Sequence, residues 1–301
     1  MKIAYFDCFS GAAGDMIVAA SVEAGVPADL LIQELSKLKL PENVEYKITK
    51  VMRAGIAATT FAPILHGDLP THSHTRNHGR QCKNNRCDAS GNKGNDKASP
   101  SIETVSEGLT ADPAGVEDHH DGIAHNSRNL SDILNIVQNS DLKESVKKRA
   151  SQIFQKLARA EAKLHGTSIN EIHFHEVGGF DSIADVVGAC IAFEFLQIDR
   201  FYCSPLVVGS GTVRCGHGVM PVPAPATAEL IKGVDILPTD IRKELLTPTG
   251  AAILTTVAEN FGAMPAMSIS SIGYGAGTRD FKDSPNVLRL FVGEPAKSVR
   301  E

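Results

Sequence analysis

The 301 residues are 42% hydrophobic and carry a formal net charge of −5, enough apolar material to bury the core of one large or two modest domains. A sequence pI near 6.1 leaves no basic footprint for nucleic acid or for an anionic membrane surface, so both partners are disfavoured. The opening MKIAYFDCFSGAAGDM is interrupted by Asp7 and cannot serve as a signal-peptide core, and the apolar run VVGACIAFEFL is too short to span a bilayer. With six cysteines read as reduced thiols, the expected setting is the cytoplasm.

In chain order, KIAYFDCF reads as a short buried strand, and SGAAGDMIVAASVEAG as a loop and small-residue helix ended at Gly25. ADLLIQELSKL follows as an amphipathic helix, and VEYKITKVMRAGIAATTFAPIL as two strands divided around Gly55. From Gly67 to Ser127 the composition changes. The large aliphatics are only Leu69, Ile102, Val105, Leu109, Val116 and Ile123, and there is no aromatic residue, so burial cannot offset the entropy of ordering. This is the signature of a disordered insertion. With His66 at its edge it holds seven of the eleven histidines, among them His72, His74, His119 and His120, with CKNNRC between. Imidazole with occasional thiolate suits nickel, zinc or copper, and the same tract also reads as a plain solvated linker.

After the insertion, LSDILNIVQ is a short helix. Leu142, Val146, Ala150, Ile153, Leu157, Ala160 and Leu164 then recur at steps of three and four, predicting a long helix packed on the sheet or on a second subunit, capped by Asp141 with Glu144 and ended at Gly166. A helix over about Asp181–Leu196, a strand FYCSPLVVG, helices at APATAELIKG and TGAAILTTVAENFG, and strands at AMSISSIGYGAG and NVLRLFVGE complete the order. The fold class is α+β, a mixed sheet with packed helices, organised as residues 1–66, an insertion over 67–127 and a second block over 128–301.

Polar residues gather at the element ends. EIHFHE alternates, so His173 and His175 share a face, and Asp181, at the expected N-cap, and Asp185 lie on one side of the next helix, together a candidate cation site. A capping aspartate beside half-buried strand histidines explains the same pattern. Asp7 and Asp15 flank a Gly-rich strand-to-helix turn that suits a phosphate or a hydrated cation, or is simply a turn with Asp15 balancing the helix dipole. Thr247 and Thr249 precede Gly250 at a helix start, Arg279 lies in SIGYGAGTRD, and Arg214, Cys215 and His217 sit among glycines.

Five of these stretches in order, MKIAYFDCFSGAAGDM, HFHEVGGFDSIADVVGA, SPLVVGSGTVRCGHGVMPVPAPAT, LLTPTGAAIL and IGYGAGTRDFKDSPNVLRL, resemble the LarC family of nickel insertion proteins. The resemblance implies CTP-dependent cyclometallation of pyridinium-3,5-bisthiocarboxylic acid mononucleotide with Ni²⁺, giving the nickel-pincer cofactor of lactate racemase, an enzyme of the lyase class. For that chemistry His173, His175, Glu176 and Asp181 fit a nickel-transfer site, with Asp185, Asp7 and Asp15 as further metal candidates from their own spacing; Glu176 or His217 is the candidate base, and the substrate phosphate suits Ser10, Gly11 and Gly14, Thr249 and Gly250, or Arg279, roles that the resemblance does not fix one by one. CTP with Mg²⁺ or Mn²⁺ is expected on a C-terminal domain that family members carry beyond the equivalent of Glu301; a first-frame product whose C-terminal half is encoded separately, a truncated relative and an incomplete gene are the three readings of a chain that stops there. A homo-oligomer is also expected. Two other readings stand beside this one: a nickel storage and delivery protein without chemistry, and a metal-dependent hydrolase of a phosphorylated small molecule.

Overall fold

The computed structural model describes residues 1–65, 128–174, 179–215, 217–281 and 284–296. The first block forms β1 (Ile3–Asp7), α1 (Gly14–Glu23), α2 (Ala28–Ser36), β2 (Val44–Arg53) and β3 (Ile56–Leu65). The second begins with β4 (Arg128–Asn129), α3 (Leu130–Gln138), α4 (Glu144–His165), β5 (His173–Phe174) and α5 (Phe180–Leu196). It continues through β6 (Arg200–Cys203), β7 (Leu206–Val207), β8 (Thr212–Cys215), β9 (Gly218–Pro221), α6 (Pro225–Leu230) and β10 (Ile236–Leu237). It closes with α7 (Pro248–Val257), β11 (Ala258–Phe261), β12 (Met267–Ala276) and β13 (Val287–Pro295).

Strands of both blocks share one seven-stranded sheet in the order β11-β6-β1-β13-β12-β3-β2. β1 is parallel to β6 and antiparallel to β13, so the mixed α+β class expected from the sequence is the one observed. The inward face of β1, Ala4 and Phe6, belongs to the main core, where Phe6 packs edge-on against Phe193 of α5. α1 lies on β12 and β3, α5 lies on α1, and α4 packs on α5, α3, α6 and α7. α5 has 13 of its 17 residues buried, which accounts for its apolar character all round: it is the inner helix of the stack.

The contact of α1 with the sheet is backbone against backbone. A Cβ on Gly273 would stand 1.9 Å from the Ala20 carbonyl oxygen, and one on Gly275 1.8 Å from that of Met16, so alternate positions of β12 must lack side chains for the helix to sit down.

Four local expectations change. α4 is capped by Lys143 rather than Asp141, whose carboxylate is 2.7 Å from Lys39, and it packs chiefly on other helices rather than on the sheet. α5 is capped by Gly179, extended at φ −68° and ψ 161°, which puts Asp181 in the first turn with its side chain released from capping. The helix at TGAAILTTVAENFG stops at Val257, and Ala258–Phe261 joins the sheet edge beside β6. β8 and β9 form an antiparallel hairpin in a stretch whose glycines had concealed strand character.

Candidate functional site

Three helix starts are drawn together by the loop that follows β1. Gly11 turns at φ +87° and donates its amide to the Cys8 carbonyl at 3.0 Å. The Ala12 amide then donates to Leu245 O at 2.9 Å, and the Thr247 amide donates to Ala12 O at 3.0 Å. The loop is thereby stitched to the segment that leads into α7. Close approach needs glycines at two further points. A Cβ on Gly250 would meet Ala12 O at 2.4 Å, and one on Gly14 would meet the Cβ of Asp185 at 2.6 Å. The first turns of α1, α5 and α7 consequently face one cavity of about 340 Å³, roughly the lower end of the range for small-molecule sites.

Asp15, Asp181 and Asp185 line this cavity together with Thr247, Thr249 and Arg279. Thr247 caps α7, its hydroxyl accepting from the Gly250 amide at 3.2 Å, and it exchanges a hydrogen bond with Thr249 at 3.0 Å. Arg279 donates to the Glu244 carbonyl at 3.4 Å, and its own carbonyl accepts from Asn286 at 3.0 Å, which fixes the loop that brings the guanidinium to the cavity. Phe61 of β3 and Phe281 supply aromatic wall.

The carboxylates are held in an uncomfortable state. Burial, offset in part by the Met16 amide donating to Asp15 Oδ1 at 2.8 Å and reinforced by the charge of Asp181, pushes the Asp15 carboxyl up to about 6. Burial first, then the charges of Asp15 and Asp181, hold Asp185 well above the usual carboxylate range. The Oδ1 atoms of Asp181 and Asp185 are enclosed without a hydrogen-bond partner. Such a cluster accepts a proton, a cation or donors from a ligand, because each would replace the missing partners. Among the described residues, no three His, Cys, Asp or Glu side chains already stand as a metal-ligand set.

The other candidate residues are distributed elsewhere. Asp7 does not face the cavity; its Oδ2 accepts from Arg289 Nη2 at 2.6 Å and Nε at 3.1 Å across the β1–β13 pair. Ser10 is buried with its hydroxyl unpartnered, and neither it nor Gly11 lines the cavity. His173 is exposed on β5 while its neighbour Phe174 is buried, the alternation expected of a strand. His217 is also absent from the cavity wall, with its ring centroid 5.1 Å from that of His165 at the end of α4. His175, Glu176, His72, His74, His119 and His120 lie outside the described residues. Ser182, Thr278, Asn286 and Phe281 line the cavity without having been singled out; none has a local motif to announce it.

No helix among the described residues is long and apolar enough to cross a membrane. Residues 4–301 match the family model described as nickel insertion protein. The pyridinium-3,5-bisthiocarboxylic acid mononucleotide nickel insertion protein of Geobacillus kaustophilus is 42% identical over 299 residues, covering 99% of this chain and 61% of that protein. Proteins of the same name from Clostridium kluyveri and Desulfitobacterium hafniense are each 40% identical, with 100% and 98% of this chain covered against 64% and 59% of theirs. The chain thus spans about three fifths of the length of these curated relatives. No solved structure matched. With nearly every residue included in the family match, and two fifths of positions identical in relatives that share one name, the chain belongs to the nickel insertion protein family.

Proposed function

We propose that this chain binds pyridinium-3,5-bisthiocarboxylic acid mononucleotide and Ni²⁺ in the cavity between α1, α5 and α7 and carries out the nickel-insertion part of a cyclometallation. The observation that carries this reading is the meeting, in one cavity, of three helix N-termini, a guanidinium and three partly buried carboxylates. The amide-rich helix starts, Thr249 and Arg279 suit a phosphate monoester. Asp15, Asp181 and Asp185 suit an incoming divalent cation that sulfur ligands of the substrate then draw away, since carboxylate holds nickel less firmly than thiocarboxylate sulfur does. His173 is not part of the cavity wall, so the reading of His173, His175 and Glu176 as further nickel donors rests on the sequence alone.

When nickel bonds to ring carbon the C–H bond breaks, and its proton needs an acceptor. Asp15, whose carboxyl burial raises in the metal-free cavity, is the acceptor once nickel has passed from the carboxylates to sulfur, whereas His217 stands outside the cavity wall. CTP with Mg²⁺ or Mn²⁺, and a further polypeptide segment that binds them, belong to the same proposal, as do action on the lactate racemase cofactor and assembly into a homo-oligomer. Among the described residues four cysteines are free, with Cys8 and Cys203 Sγ atoms 3.6 Å apart, which supports a reducing, cytoplasmic setting.

The test mixes this chain with the remaining segment of a longer relative, CTP, a divalent cation, Ni²⁺ and the bisthiocarboxylated mononucleotide, and follows nickel in the product by mass spectrometry. Nickel insertion that falls at least about tenfold in Asp181→Asn is expected, the loss of one oriented charged contact. Tight nickel binding with no insertion under any combination would favour storage and delivery instead.

A further inference from the structure

A second group of metal-seeking side chains lies away from the carboxylate cavity. His165 ends α4, Glu161 lies one turn before it on the same helix face, and His217 comes from the segment between β8 and β9. None of the three lines the cavity. The imidazoles are tilted by 40°, with centroids 5.1 Å apart, and His165 Nε2 is 3.7 Å from Glu161 Oε2. His217 is exposed, and the His165 side chain is about one-third open to solvent, so an ion can arrive from water.

These spacings are compatible with an ion's inner shell. Two imidazoles bound at ~2.1 Å to one tetrahedral ion have their centroids roughly 5 Å apart, once about 1.1 Å is added from nitrogen to ring centre. A nitrogen and a carboxylate oxygen on the same ion span roughly 3.5 Å, whereas a charge-assisted hydrogen bond closes to about 2.8 Å. Among the described residues the donors are not already converged into a three-ligand set, and binding requires side-chain adjustment, for which the exposure of His217 leaves room.

We infer that His165 and His217, with Glu161 as a third donor, form a surface capture site for borderline divalent cations such as Ni²⁺ and Zn²⁺. Neutral imidazole nitrogen prefers these ions to Mg²⁺, and a shell completed by water leaves the ion exchangeable rather than locked in place. The site deepens the proposed function by giving nickel a landing point on the folded part of the chain, and it stands or falls independently of the cavity chemistry.

Diethylpyrocarbonate labelling of the full chain at pH 7.5, read histidine by histidine by peptide mass spectrometry, tests this without substrate. With Ni²⁺ at about four times its Kd, only one fifth of sites stay free, so labelling of His165 and His217 should slow together about fivefold. Mg²⁺ should leave both rates unchanged. In His217→Ala the protection at His165 should vanish, and in Glu161→Gln it should weaken, with melting temperatures unaltered in both. Asp185→Asn, which disturbs only the cavity, should keep the protection intact. Unchanged labelling of both histidines when Ni²⁺ protects others, or full protection of His165 in His217→Ala, would overturn the inference and leave the pair as a helix-end packing contact.

Discussion

Asp185 concentrates the electrostatics of the cavity in one side chain. Its folded carboxyl, and that of Asp15 beside it, titrate above their unfolded values, so the native state binds more protons than the unfolded chain from about pH 4 upward, through a window that for Asp15 reaches about 6. Stability of the metal-free protein therefore falls as pH rises through that window. For Asp15, moved from 3.8 to about 6, the penalty at neutral pH is on the order of 3 kcal/mol, and it disappears below about pH 4. Asp185→Asn removes an ionisable group at nearly constant shape, and with it the cost of keeping that group's folded titration above its unfolded one. We predict a higher melting temperature than wild type at pH 7.5 without metal, a gain that shrinks at pH 4.5, and a smaller stabilisation by added Ni²⁺ than wild type shows. Equal melting temperatures at both pH values would contradict the assignment. Much of this residue-scale picture was legible in the sequence, since Asp181 and Asp185 lie one helical turn apart and Asp15 opens its own helix. What could not be read was exclusion: Asp7 is consumed by Arg289, 282 positions away, and His217 meets His165 through a fold that no local spacing encodes.

At the scale of elements, α1 positions Asp15, and β12 positions α1. Because the two backbones touch through Gly275, adding one methyl group forces the helix off the sheet rather than merely crowding a side chain. Gly275→Ala should cost about 3 kcal/mol or more, lowering the melting temperature by about 6–12 °C, and should weaken cation binding at Asp15 in the same protein. A variant as stable as wild type would mean that α1 sits more loosely than the 1.8 Å approach allows. Element existence was readable because the 3.6 period is strong in α4 and continuous apolar runs mark β1 and α5; element ends were not. The preference of aspartate for caps placed Asp141 and Asp181 two residues wrongly, since Asp141 pairs with Lys39 while Lys143 takes the cap, and Gly179 takes the other cap by a backbone geometry that a propensity scale omits. The β8–β9 hairpin was hidden for the opposite reason: its glycines depress strand propensity, while pairing with the facing strand supplies the stability.

For the whole molecule, the question is what the stretch between β3 and β4 contributes. The two blocks on either side of it are already joined without it: β1 of the first is flanked by β6 and β13 of the second, β3 meets β12, and α1 packs between β3 and α5. Residues 67–127 offer six large aliphatic side chains and no aromatic, too little apolar material to carry core stability. We predict that replacing them by a Gly/Ser linker of about 12 residues, able to reach up to ~40 Å, preserves a single cooperative thermal transition. The same variant should bind fewer Ni²⁺ equivalents, because His72, His74, His78, His119, His120 and His125 are removed, while the equivalents that depend on Asp181 and Asp185 remain. Calorimetry resolves the two classes. If the transition broadens or splits, the segment is part of the folding unit. If the nickel stoichiometry is unchanged, its histidines do not collect metal, and the cation must reach the cavity by way of the folded surface alone.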